Sequence, residues 1–125
     1  MKIENANYIL EVSPDNGALV RLRDKVGGVE LLTHRRLAES FRLLVPLPRV
    51  LEANYIFGTE QHLSAADMTE DAIALRWDGP LHNSVGQFDV DVQEQIAFVG
   101  AGIQFQTTVC NRTQHVLAEV WHAGL

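Results

Sequence analysis

The chain has 125 residues and a mass of 13.9 kDa, a length typical of a single domain. Hydrophobic residues make up 46% of it and charged residues 21%, which excludes an intrinsically disordered chain. Ten lysine and arginine residues stand against 16 aspartate and glutamate residues, which gives a net charge of −6. Because the phosphates of a nucleic acid would meet an acidic surface, nucleic acid is not an expected partner.

Cysteine content, apolar runs and the N-terminal residues exclude further classes. The single cysteine, Cys110, excludes an intrachain disulfide. The longest apolar run, Leu43–Leu47, is interrupted by a proline and is far shorter than the roughly 18 residues of a membrane helix. Glu4 and Asn5 lie where a signal peptide has its apolar stretch. The chain as shown is therefore expected to be soluble and untargeted, with no membrane partner and no assigned compartment.

The first third of the chain has the pattern of an antiparallel hairpin. Apolar residues occupy alternate positions in Tyr8–Val12, which is typical of a strand. Residues 13–17 (SPDNG) form a turn sequence, and Ala18–Lys25 is expected to form the returning strand. In the returning strand we expect Val20 and Leu22 to face inward and Arg21 and Arg23 to face outward. A second turn at Val26-Gly27-Gly28 leads into a short strand around residues 29–32.

The middle of the chain is less regular. Residues 37–40 favour one short helical turn, and residues 41–45 favour a strand that ends at Pro46. A loop over 47–53 precedes a short strand near 54–58. Residues 70–77 are again typical of a strand, because Ile73, Leu75 and Trp77 alternate with smaller or polar residues.

The last third carries the strongest strand pattern. Phe88, Val90 and Val92 alternate with polar residues, and an apparent change of phase predicts a bulge near Glu94-Gln95. A glycine turn at 100–102 leads into a returning strand over 103–109, and a last strand is expected within 116–121. Short strands at close spacing predict an all-β, mostly antiparallel β-sandwich in a single domain over 1–125.

The sequence contains no convincing metal-binding, phosphate-binding or nucleophile motif, so we expect no cofactor and no metal ion. Both glycine pairs lie in hairpin turns rather than between a strand and a helix. His115, Glu119 and His122 have helical spacing, but in a strand His122 points away from the other two. The chain has no GxSxG turn. Spacing alone selects no pair among the glutamates that could act as the two carboxylates of a glycosidase.

Aromatic and amide side chains are the types that bind sugars, through ring stacking and planar hydrogen bonding. The alternative is that the tyrosine and the tryptophans are simply large core residues. Both tryptophans end alternating strands, where a ring can be half exposed. The residues that we expect to contact sugar or an adjoining domain are Asn54, Tyr55, Gln61, His62, Trp77 and Trp121.

Several segments in order resemble the N-terminal β-sandwich of the galactose-mutarotase-like superfamily, which precedes a catalytic barrel in some glycoside hydrolases. The segments are 3–5 and 10–12, 17–25 with Leu22-Arg23-Asp24-Lys25, 39–46, 54–56 with Gly58 and Gln61, 75–81, 109–111 and 119–121. Such sandwiches are commonly longer than this chain, so we expect the front portion of a longer protein or a reduced stand-alone version. The acid and nucleophile of those hydrolases lie in the barrel, so the resemblance transfers no catalytic residue.

The resemblance implies a non-catalytic, carbohydrate-associated module that contacts sugar or packs against a catalytic domain. Two other classes stay open. An aldose-1-epimerase-like enzyme needs a general acid and base, which His62, His82, His115 and Glu119 could supply. A purely structural assembly domain would self-associate tightly and would show neither sugar binding nor epimerase activity. Residues 102–109 carry apolar side chains without charge or proline, so we also expect a homo-oligomer, most simply a dimer.

Overall fold

A computed structural model of the protein describes residues 1–34 and 38–122. The structure is all-β, as predicted, with 51% of the described residues in strands and 3% helical. The helical turn expected over 37–40 falls partly outside the described residues. A short 3-10 turn lies at Gly58–Glu60. The strands are β1 Lys2–Glu4, β2 Tyr8–Val12, β3 Leu19–Asp24, β4 Val29–Glu30, β5 Phe41–Leu44, β6 Tyr55–Phe57, β7 Ala65–Met68, β8 Ala72–Trp77, β9 Leu81–His82, β10 Gln87–Phe88, β11 Val90–Val99, β12 Gly102–Asn111 and β13 Glu119–His122.

The strands form antiparallel sheets that pack on one another. One four-stranded sheet has the order β1-β2-β3-β4, another has the order β12-β11-β8-β7, and a third has the order β13-β5-β6. Strands β9 and β10 form a separate hairpin. Tyr8 stacks on Phe98 with ring centroids 6.3 Å apart, and Phe41 meets Trp77 edge to face at 4.9 Å. Both smaller layers therefore pack against the β12-β11-β8-β7 sheet, which makes a sandwich.

The core lies between these layers and follows the alternation of the strands. On β8 every second residue is buried. The inward residues of the neighbouring strand β11 extend the same buried layer. Burying a large aliphatic side chain contributes about 1.5–3 kcal/mol, so this layer accounts for much of the stability. The apolar residues buried on these two strands are Ile73, Leu75, Trp77, Val90, Val92 and Ile96.

The bulge predicted near Glu94-Gln95 is wrong. Strand β11 pairs with β12 without interruption over Val90–Val99, and the register with β8 is equally regular. The inward positions therefore include Glu94, which is only 2% exposed. The apparent phase change in the sequence arises because one inward position holds a carboxylic acid instead of an apolar residue.

The β2–β3 hairpin is confirmed, but the inward position of Val20 is wrong. Glu11 pairs with Arg21 while Val12 pairs with Leu19, so β3 has one extra residue at this point. This bulge turns Leu19 inward, where it is buried, and leaves Val20 58% exposed. Strand β7, which the sequence pattern does not predict, pairs with β8 at the edge of the large sheet.

Candidate functional site

The six predicted contact residues divide into a buried group and a surface group. Asn54, Gln61 and Trp77 are at most 4% exposed. Tyr55 is half-buried, and His62 and Trp121 are exposed. The polar atoms of the buried group are bonded inside the protein, so only the surface group can meet a ligand or another domain.

Trp77 lies in the centre of the core, and the expectation of a half-exposed ring is wrong. Strand β8 is an inner strand, and Trp77 is on its inward face. Gly17, at φ +74°, closes over the ring: a Cβ there would lie 2.3 Å from Trp77 Cζ2. The indole Nε1–H donates to the Asn16 carbonyl over 3.0 Å. The predicted turn at 13–17 therefore covers this tryptophan, and its ring offers no surface for stacking.

Asn54 and Gln61 use their amides inside the protein. Asn54 Nδ2 donates to the Val45 carbonyl, and its Oδ1 accepts from Asn83 Nδ2 over 2.7 Å. Gln61 Nε2 donates to the His82 carbonyl over 2.7 Å, and Gln61 Oε1 accepts from the His82 N–H over 2.9 Å. Both amides fasten the β9–β10 hairpin and its turn to the region of β6. Their hydrogen bonds are made inside the protein and support the neighbouring surface.

Tyr55 and Trp121 come together on the outer face of the β13-β5-β6 sheet. Arg42, in the central strand β5, pairs with Phe57 on β6 and with Trp121 on β13. Its guanidinium carbon lies 5.4 Å from the centroid of the Tyr55 ring, 5.4 Å from that of Phe57 and 5.9 Å from that of Trp121. We call these four residues the aromatic face. Cation–π attraction holds the arginine among the three rings.

Two carboxylates complete the aromatic face. Glu39 Oε2 accepts from Arg42 Nε over 3.0 Å and from Arg42 Nη2 over 2.9 Å. Glu119 Oε2 accepts from the Trp121 indole Nε1–H over 2.8 Å. The guanidinium and the indole are both oriented by these bonds, while the Trp121 side chain stays 54% exposed. The arrangement offers an accessible ring edged by hydrogen-bonding groups.

Arg42 and Phe57 are not among the contact residues predicted from the sequence. A local signal existed, since both alternate with buried residues in short strands and therefore point outward. Their meeting with Trp121 depends on the pairing of β5 with β13, which are distant in sequence. His62, although exposed, forms no ring contact or hydrogen bond with the aromatic face in the described part of the chain.

A second surface feature lies on the outer face of the large sheet. It is a depression of about 360 Å³ that contains amide and charged groups but no aromatic ring. Arg76 within it is already paired with Asp78 over 2.9 Å. Because sugar binding uses ring stacking, we take the aromatic face as the candidate site. The residues lining the depression are Ala65, Asp67, Ala74, Leu75, Arg76, Gln93, Glu94, Gln95, Gln106 and Thr108.

Groups that could move protons or bind a metal are dispersed. Within residues 1–34 and 38–122, no hydrogen bond or ion pair joins any two of His62, His82, His115 and Glu119. The same residues contain no group of three or more histidine, cysteine or acidic side chains placed to hold a metal ion. In that part of the chain we also find no helix with the length and apolar character needed to cross a membrane.

No protein-family model matches the chain, and no curated protein matches it.

Proposed function

We propose that this protein is a non-catalytic, carbohydrate-associated β-sandwich module of the galactose-mutarotase-like kind, from a glycoside hydrolase. The observation that carries the proposal is the aromatic face, where three rings surround one arginine on the outer surface of a sheet. A pyranose ring stacks on an aromatic ring through its C–H groups while its hydroxyls form hydrogen bonds in the ring plane. The face supplies both kinds of group.

Trp121 is the residue that we assign to stacking. It lies on the edge strand β13, and its exposed indole is oriented by the bond to Glu119. Arg42 and Glu39 lie beside it and offer a donor and an acceptor for hydroxyl groups. Tyr55 and Phe57 are half-buried and support the arginine from the other side.

The first prediction is that sugar contacts perturb one tryptophan and not the other. The chain has two tryptophans, so the NMR signal of the buried Trp77 indole is an internal control. We expect titration with lactose and with maltotriose to shift the indole N–H signal of Trp121 in at least one case. Trp121→Ala should weaken that binding about tenfold, since a ring stack is worth about 1 kcal/mol or more.

The matched control is Val99→Ala, which truncates an apolar side chain with 55% exposure at the end of β11. It should leave binding unchanged. Equal movement of both indole signals, or unchanged binding in Trp121→Ala, would contradict sugar contact at the aromatic face. In that case the face would serve to pack against an adjoining catalytic domain, which adding that domain in trans would reveal through the same Trp121 signal.

A further inference from the structure

Strand β12 differs from every other sheet edge in the described residues. It forms one edge of the large sheet and contains ten residues, whereas no other edge strand exceeds four. The free edge of a strand presents unpaired N–H and C=O groups, which pair readily with another strand. Proteins protect such edges by keeping them short, charged or interrupted by proline, and β12 has none of these features.

Charge distinguishes β12 from most other edges as well. Strands β1, β4, β7 and β13 each carry an acidic residue, whereas Gly102–Asn111, like the much shorter edge strands β6, β9 and β10, carries no carboxylate, lysine or arginine. Two copies of a chain with a net charge of −6 repel each other on average. This repulsion is weakest where neither copy presents a carboxylate, so β12 is the longest edge along which a second copy can approach without meeting one.

The inward side of β12 is incompletely covered. Ile103, Phe105 and Val109 pack against the core but stay half-buried. By contrast, Val92 and Ile96, which face Val109 and Phe105 across the β11–β12 ladder, are fully buried. An additional strand beside β12 would cover these apolar side chains from the open side and add their remaining exposed area to the interface.

We propose that two copies of this chain pair antiparallel along β12, with the twofold axis at Thr107. An axis that passes through a residue position keeps the inward faces of both strands on the same side of the joined sheet. With the axis at Thr107, Phe105 of one copy faces Val109 of the second copy, and the two threonines face each other. Moving the axis to Gln106 would pair Ile103 with Val109 but would place Phe105, the largest apolar side chain of the strand, against Thr107.

The ends of the strand are compatible with this register. Arg112, just after β12, is held by Asp89 and Asp91 at 3.2 Å and 2.7 Å. In the antiparallel pair this charged cluster lies opposite Gly102 of the second copy, beside an uncharged turn. No like charges face each other, and an eight-stranded sheet results. The aromatic face lies on another sheet, so this inference does not depend on sugar binding.

Cysteine cross-linking tests the register. At the axis a residue faces itself with a Cα–Cα distance of about 4.5–5.5 Å, within the roughly 4.4–6.8 Å that a disulfide needs. In a Cys110→Ser background, we expect Thr107→Cys to give a disulfide-linked dimer on mild oxidation. Gln95→Cys, exposed on the neighbouring strand β11, is the control for random collision and should stay monomeric on a denaturing gel.

The outcomes separate the alternatives. A dimer with Gln106→Cys but not with Thr107→Cys would overturn the register, and equal cross-linking of Gln95→Cys would overturn the contact. Sedimentation equilibrium gives an independent test. The unmodified chain should approach twice 13.9 kDa, and a mass that stays at 13.9 kDa over a tenfold concentration range would overturn the dimer.

A charge variant keeps the test independent of cysteine chemistry. Gln106→Lys adds a charge to an exposed outward position of β12, and Gln95→Lys adds the same charge directly opposite it on β11. Both variants lower the net negative charge by the same amount, so the overall repulsion between two copies changes equally in the two variants. We expect Gln106→Lys to weaken dimerisation at least tenfold and Gln95→Lys to change it less than threefold. Equal effects would contradict pairing along β12.

Discussion

Glu94 places a carboxyl group in the apolar interior of the sandwich. It faces Leu75 on one neighbouring strand and Thr107 on the other, so its cross-strand neighbours carry no charge. Neither carboxyl oxygen has a hydrogen-bond partner, and the same is true of the Thr107 hydroxyl. A buried ionised carboxylate without partners costs several kcal/mol, and a neutral carboxylic acid costs much less. The group is therefore expected to stay protonated while the protein is folded.

Burial raises the pKa of Glu94 to about 8 from its ordinary value of 4.5. The folded state thus keeps a proton that the unfolded state loses above pH 4.5, and stability falls as the pH rises towards 8. We predict that the free energy of unfolding decreases by about 3 kcal/mol between pH 5.5 and pH 9 through this group. Urea unfolding at the two pH values measures the change.

The variant Glu94→Gln isolates this effect, because glutamine has a similar shape and does not titrate. Its stability should be nearly constant over the same pH range and should exceed that of the unmodified protein at pH 9. The acidic residues whose pKa is lowered, such as Asp91 beside Arg112, titrate at lower pH and do not contribute in this range. Parallel pH profiles for the two proteins would show that Glu94 is not buried in solution.

At the level of strands, the sequence predicts the features that depend on residues close together along the chain. The β2–β3 and β11–β12 hairpins follow from alternation and a glycine turn, because strand and turn signals lie within 20 or so residues. The bulge that exposes Val20 and the regular register that buries Glu94 are set by pairing with neighbouring strands. The aromatic face is less predictable still, since β5 meets β13 from the far end of the sequence. Residue type identified Tyr55 and Trp121, but only the sheet order brings in Arg42.

Buried amides connect the short elements, and Gln61 is the clearest case. Its side chain bonds both the N–H and the C=O of His82 and also donates to the Phe57 carbonyl over 3.1 Å. Replacing it removes these bonds and leaves partly buried backbone groups without partners, at about 1–3 kcal/mol for each group. We predict that Gln61→Met lowers the free energy of unfolding by about 2–4 kcal/mol.

The control for this variant is Gln93→Met, an exposed glutamine on the outer face of β11. A substitution of this kind should change stability by less than about 0.5 kcal/mol. Urea unfolding compares the two, and hydrogen exchange at the His82 amide reports the loosened hairpin directly. Equal stabilities for the two variants would show that the Gln61 bridge contributes nothing to holding β9 and β10.

For the whole molecule, charge is distributed unevenly around the sandwich. The ion pairs lie at the surface, for example Arg21 with Glu30 at 3.1 Å and Lys25 with Glu4 at 2.8 Å. The pKa of Glu4 is lowered by its bond to Lys25, but such exposed pairs contribute little to stability. Their larger effect is to fix where the net negative charge lies. Strand β12 stays uncharged, although the chain as a whole is acidic.

This distribution predicts how salt affects self-association. Two acidic molecules repel over a distance of about a Debye length, which is near 30 Å at 0.01 M salt and 8 Å at 0.15 M. The β12 contact contains no ion pair that salt could weaken, so screening removes repulsion without removing attraction. We expect the dissociation constant of the dimer to fall about three- to tenfold between 20 mM and 300 mM sodium chloride. Sedimentation equilibrium at both salt concentrations measures it, and association that weakens with salt would indicate an interface built from the charged edges instead.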